Sequence, residues 1–443
     1  MSVNIVDFEK IEILPSNAPS TTSSAFSFRG GNPIITLEIP AQAKFLKASS
    51  LRINGKLSVK DNVGAPNNNT LKAVAGKAIT MNSRVGVNSC FQNVVLVSAA
   101  SNQSLETIRQ YGRLTASLLS STHSQQDMMT EKSATAVLSG LASASSNMIN
   151  NDVRFSVPLY AGMLQGQALI PLSAVGGLRI NIELASDQQV FTGADAGGNG
   201  GAFYELSDIS LTADLGVPSD ASAAAGGAGT FEYNSWSSLY SVINSSDSTQ
   251  TFNLANSKVL SVVHNFLPVS HSNSYTHDGF TTDMLKNQAG GVYNIDVELK
   301  RVSFSRGGVR LGLDYEMDSS VQSASKIPET QVLMNYLQAY QPLGRMLNSR
   351  LLLDYGGEPL RFDRPENKTA NRDRGRQADN GVRNFGIGLE LDPVSDVGVN
   401  FKGQSYAVRI VSSLDGNSPS AVHTHLLSKN TLMYSPTGIM VSS

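Results

Sequence analysis

Apolar residues along most of this chain recur at every second position, and that spacing commits it to β-strands packed on shared cores. Ile35, Leu37 and Ile39 alternate with polar neighbours and stop at Pro40. Leu51 and Ile53, then Leu57 and Val59, repeat the pattern on either side of Asn54-Gly55, which reads as a turn. Val153, Phe155 and Val157 alternate up to Pro158, and Leu178, Ile180, Ile182 and Leu184 follow Gly176-Gly177. Phe203 and the run from Ile209 to Val217 close this half. Strands resume at Phe231 and Tyr233, Leu239 to Val242, Val259 to Phe266, and Tyr293 to Leu299. Val302 and Phe304, Leu311 to Tyr315, Phe385 to Leu391, Tyr406 to Ile410, Leu432 to Tyr434 and Ile439 to Val441 complete the series. Arg306-Gly307-Gly308 and Asp415-Gly416 supply turn chemistry between them.

Two segments shift toward helix. Leu105, Ile108, Tyr111, Leu114 and Leu118 draw one apolar stripe, and Val332, Leu333, Tyr336, Leu337 and Tyr340 draw another behind Pro328. Between the halves, residues 219–230 are almost all Ser, Ala and Gly, too small to fill a core, and read as a linker. The expected organisation is an arm at 1–30, a sandwich at 31–218, the linker at 219–230, and a second sandwich at 231–443. Strands, one helix, then strands in each half, without βαβ alternation, indicate two antiparallel sandwiches. Periodicity alone does not choose a jelly roll over other Greek keys.

Of the 443 residues, 40% are hydrophobic, enough for real cores, but only 16% are charged. That is low against a usual share of about 25%, and suits a protein that covers its surface with neighbours. The net charge of −2 sets up no field toward nucleic acid or acidic membranes. The arm carries Lys10 and Arg29 against Asp7, Glu9 and Glu12, so it does not neutralise phosphates. Its acidic opening argues against a secretory signal, and no apolar run approaches a bilayer span. The expectation is a soluble, non-secreted chain, and the sequons at Asn68, Asn102, Asn244 and Asn367 then carry no glycan.

The single Cys90 lies in an apolar run and reads as a buried, inert thiol. His423-Thr424-His425 puts two imidazoles on one strand face, which could hold a metal with a third ligand but reads better as a solvated or interface pair. His271 and His277 flank a turn, while His123 and His264 stand alone. The run Gly193–Gly201 lacks the Lys-Ser/Thr ending of a phosphate loop and reads as a hairpin tip. Residues 361–383 are the most charged segment; a contact for DNA, lipid headgroups or another protein is one reading, but interleaved opposite charges without aromatics read better as a solvated loop or subunit contact. Trp236 reads as packing the base of the second sandwich. No catalytic, cofactor or metal site is assigned from the residues.

Four stretches carry a resemblance: Ile39-Pro40; Gln103 to Tyr111 with the polar run to Asp127; Val157-Pro158-Leu159-Tyr160 leading to Leu169–Leu172 and Gly177–Ile180; and Phe385–Asp392 with Gly398-Val399. Together they resemble the double jelly-roll major capsid proteins of polinton-like viruses and virophages, within the adenovirus-like lineage. The resemblance implies an all-β fold of two tandem jelly rolls, each with a short helix insertion. It also implies homotrimers of pseudo-hexagonal outline that tile an icosahedral shell around double-stranded DNA. Partners would be neighbouring capsomers, penton and minor capsid proteins and a possible internal membrane, without sequence-specific nucleic-acid binding. The alternative is a β-sandwich carbohydrate- or receptor-binding protein, which would need exposed aromatic residues on its loops.

Overall fold

The computed structural model describes residues 4–18, 25–61, 80–82, 85–122, 152–165, 169–192, 201–220, 228–275, 279–280, 299–316, 387–391, 397–412, 419–435 and 438–442. The alternating segments of the first half form β1 (Ile5–Ile13), β2 (Ile34–Ile39), β3 (Phe45–Lys47), β4 (Arg52–Asp61), β5 (Thr80–Met81) and β6 (Phe91–Ser98). After β7 (Ser104–Arg109) and helix α1 (Tyr111–Thr122) come β8 (Asp152–Pro158), β9 (Leu169–Pro171), β10 (Leu178–Leu184), β11 (Phe191–Thr192) and β12 (Ala202–Pro218). The second half contributes β13 (Gly229–Ile243), β14 (Asp247–Asn253), β15 (Val259–Pro268), β16 (Leu299–Arg306) and β17 (Val309–Glu316). It ends with β18 (Ile387–Glu390), β19 (Ser405–Ser412), β20 (Ser420–Ser435) and β21 (Gly438–Ser442).

In the first half, a sheet of order β8-β4-β12-β3-β9, with β1 on the other edge of β12, faces β7-β6-β10-β2. In the second, β18-β15-β20-β13 faces β14-β19-β16-β17. The two inner sheets are one: β13 lies parallel to β7 through Ser237 and Thr107, giving the order β18-β15-β20-β13-β7-β6-β10-β2. The spine of the second half is the pairing of β13 with β20, unbroken from Gly229 opposite Tyr434 to Ile243 opposite Ser420.

Burial follows the period. Leu178, Ile180, Ile182 and Leu184 of β10 are all buried, each worth about 1.5–3 kcal/mol of apolar burial, while Glu183 between them is exposed. The β16–β17 hairpin turns at Gly307 and Gly308, both at positive φ (52° and 83°), as its sequence predicts.

Three expectations change. The stripe read as helix from Leu105 belongs to two elements: residues 104–109 form β7, and the helix starts only at Tyr111. A register shift against β6 inserts an extra residue at Leu105, and such a bulge turns a spacing of two into a spacing of three. Asn54-Gly55 is no turn, because β4 runs straight through it. Gly55 is small there since a Cβ would come within 2.6 Å of Ile209 Cδ1 and 2.7 Å of Phe155 Cζ. Trp236 is buried in the core cluster that holds most of the first half and extends to Leu260, Val263 and Leu427, rather than in the cluster that fills the second sandwich. The helix expected at 327–340, the strand at Tyr293–Val297, the turn at Asp415-Gly416 and the charged segment 361–383 lie outside the described residues.

Candidate assembly surfaces

The amino-terminal segment is a strap. β1 pairs along β12 from Ile5 opposite Pro218 to Ile13 opposite Leu211, placing Ile11 and Ile13 against the core. The chain then crosses to the other sheet. The Ser16 N–H donates to Thr36 O (2.8 Å), and the Asn17 amide donates to Ile34 O (2.8 Å) while accepting the Thr36 N–H (2.9 Å). One segment thus satisfies backbone groups on two sheets at one side of the first sandwich. Its outward face is open and mixed: Val6 is 64%, Phe8 49% and Leu14 70% exposed, with exposed Lys10 and Glu12 between them. Over residues 5–17 the amino-terminal arm is thus folded onto its own chain.

The seam between the halves is organised by Glu106 of β7. Its carboxylate accepts backbone N–H groups from Gly162 (2.8 Å) and Met163 (3.1 Å) of the first half and Trp236 (2.7 Å) of the second. Burial pushes its pKa up to about 7 against the pull of those three donors. The Tyr233 hydroxyl donates to Leu105 O (2.8 Å), and the Tyr111 hydroxyl accepts the Tyr160 N–H (2.8 Å). Gly162 passes so close to β13 that a Cβ would meet Asn234 O at 2.7 Å. α1 also reaches across: Ser117 Oγ donates to Asn265 Oδ1 (2.6 Å), and the Asn265 amide donates to Arg113 O (3.3 Å). Glu106 and Tyr111 stand within the stretch that carries the family resemblance, but nothing in local pattern marks a buried acid as a clamp.

Cys90 is buried, and burial raises its thiol pKa well above the ordinary value, as expected of an inert thiol. His423 and His425 are on one face of β20 but are buried, not solvated (4% and 0% exposed). His264 is buried between Thr424 Oγ1 (2.9 Å) and the Tyr406 hydroxyl (2.6 Å). His271 is buried; His123, His277 and Gly193–Gly200 lie outside the described residues. No group of three or more His, Cys, Asp or Glu side chains placed to hold a metal occurs among the described residues. No described helix is long and apolar enough to cross a membrane.

No family model and no curated protein matches the chain. Solved structures do. The PBCV-1 Vp54 crystal structure, as fitted into a cryo-EM reconstruction of the virophage Sputnik, superposes with a TM-score of 0.57 at 12% identity, over 100% of this chain and 98% of that one. The Faustovirus major capsid protein gives 0.58 at 10% identity, over 98% and 91%. The Sputnik virophage structure determined by cryo-EM gives 0.51 at 11% identity, over 100% and 89%. The fold is the double jelly roll of viral major capsid proteins. In double jelly-roll terms, the strap closes one side of the first roll, and Glu106 sits where the two rolls share a sheet.

Proposed function

We propose that this chain is a major capsid protein that forms homotrimeric, pseudo-hexagonal capsomers tiling an icosahedral shell around a double-stranded DNA genome. The observation that carries the reading is coverage: both rolls, end to end, align with capsid proteins that consist of little else. The shared inner sheet and the core cluster that spans both halves join the two rolls, which suits a tile. The exposed face of the strap, where Val6, Phe8 and Leu14 stand among Lys10 and Glu12, offers a surface for a neighbouring capsomer or minor protein. The chain's low charge fits the same role. The carbohydrate-binding alternative loses its best residue, since Trp236 is buried and cannot stack on a sugar.

The test is the solution mass of purified protein by light scattering, with negative-stain images of the same peak. The expected species has three times the 47.1 kDa of one chain and a hexagonal outline. A stable monomer that forms no larger assembly with co-expressed minor proteins would overturn the reading.

A further inference from the structure

Between the two rolls the shared sheet splits. β13 meets β7 at one pair, Ser237 with Thr107. Next to it the Ser238 hydroxyl bridges the strands, donating to Arg109 O (3.1 Å) and accepting the Arg109 N–H (3.1 Å). There β7 ends and the chain turns into α1, while β13 continues to Ile243 with β20 on one side only. The gap is a cleft of about 420 Å3, with Leu239 and Tyr240 on one wall and Gln92, Asn93 and Arg109 on the other.

Register tells which backbone groups face that cleft. Trp236 turns its N–H away from β20, to the Glu106 carboxylate. In an antiparallel ladder the N–H and C=O of one residue point to the same side, and successive residues alternate. The ladder of β13 with β20 runs without a bulge, so Tyr240 and Val242 turn their N–H and C=O into the cleft. Among the described residues nothing pairs with them there, and both side chains are exposed. Open edges invite strands, and elsewhere this chain guards them. The edge strand β1 carries Asp7, Glu9, Lys10 and Glu12, and Ser16 and Asn17 cover β2. The stretch Leu239–Ile243 has no charge, proline or bulge.

Charge selects the partner. The Arg109 guanidinium forms no ion pair or hydrogen bond among the described residues, and the described lining holds no Asp or Glu. In strand order the next carboxylate is Glu183, which lies beyond Asn93 and is held by its amide. We propose that the cleft takes an extended, acidic segment of another protein, which adds as a strand to β13 at Tyr240 and Val242 and sets a carboxylate against Arg109. Backbone hydrogen bonds supply binding that is tolerant of sequence, and the guanidinium supplies the preference for acid. Two pairing residues and one charge pair must offset the ordering of a free peptide, so affinity is expected in the high micromolar range. The inference does not rest on the capsid reading.

The test is fluorescence anisotropy of short, labelled, end-capped peptides with the full-length protein added to millimolar concentration. One peptide alternates valine with aspartate, a second alternates valine with lysine, and a third is the aspartate peptide N-methylated at every residue. The aspartate peptide is expected to saturate, and the other two to bind at least about tenfold more weakly. Arg109→Gln is expected to weaken the aspartate peptide about threefold or more. Val242→Pro removes the N–H that faces the cleft, a change that edge strands accept, and is expected to abolish binding at an unchanged melting temperature. If that variant does not fold, Arg109→Gln and the N-methylated peptide still decide. Absence of saturation, equal binding of the lysine peptide, or no loss in Arg109→Gln would overturn the proposal. So would displacement by inorganic phosphate alone, which marks a plain anion site. A fall in the protein's own solution mass on Val242→Pro would make the occupant a second copy of this chain and overturn it too.

Discussion

At the residue scale, Glu106 shows how a costly burial is made tolerable. A carboxylate away from water is unfavourable unless donors surround it, and here three backbone N–H groups from two halves of the chain do so. Glu106→Ala would leave all three without an acceptor and is expected to cost about 3 kcal/mol or more. Glu106→Gln keeps the oxygen that serves Gly162 and Trp236 and opposes only the Met163 N–H with its amide, so about 1–2 kcal/mol is expected. Chemical denaturation at neutral pH compares them. Equal losses would mean that the carboxylate does not act through these donors.

At the element scale, the strap matters because it occupies an edge. Without β1, the backbone of β12 from Leu211 to Pro218 would present unpaired N–H and C=O groups, an invitation to another chain's strand. Deleting residues 2–14 is expected to lower the melting temperature and to produce concentration-dependent association, followed by calorimetry and light scattering. An unchanged melting temperature would show that the pairing contributes nothing to the folded subunit. The deletion also separates two roles, since a strap needed only for contacts between capsomers would leave the subunit's stability intact.

At the scale of the whole molecule, buried ionisable groups set a pH profile. Burial, reinforced by His425, lowers His264 to about 3; burial, reinforced by Arg113, lowers His425 to about 3 and His423 well below its ordinary value. Below the ordinary 6.5, and down to about pH 3 for His264 and His425, the unfolded chain binds protons at these rings and the folded chain does not, so stability is lost as pH falls through that window. Burial raises Glu106 to about 7 and Asp187 to about 6. Those carboxyls are protonated in the folded state at pH values where the unfolded chain has released its protons. Their contribution therefore falls as pH rises, levelling off above about 7. Three rings outnumber two carboxyls, so stability is expected to peak between about pH 6.5 and 7 and to decline on the acid side. Melting temperatures across about pH 4–8 check this, and a steady rise into acid would contradict it.

What the sequence by itself determined is the class and part of the strand inventory; β1, β7, β14 and most of β20 were not read from it. Alternation at Ile35–Ile39, Leu178–Leu184 and Tyr406–Ile410 is a local property of a half-buried strand, and Gly307-Gly308 is a local property of a tight turn, so both were legible. Where a long-range contact sets the local rule, pattern misled. The bulge at Leu105 exists because β6 pairs with β7, and the smallness of Gly55 answers to Ile209 and Phe155, neither of them near in sequence. The burial of Trp236 between the two halves and the clamp around Glu106 were decided only by tertiary structure. Each joins residues more than a hundred positions apart, held by hydrogen bonds and packing that a one-dimensional period cannot carry.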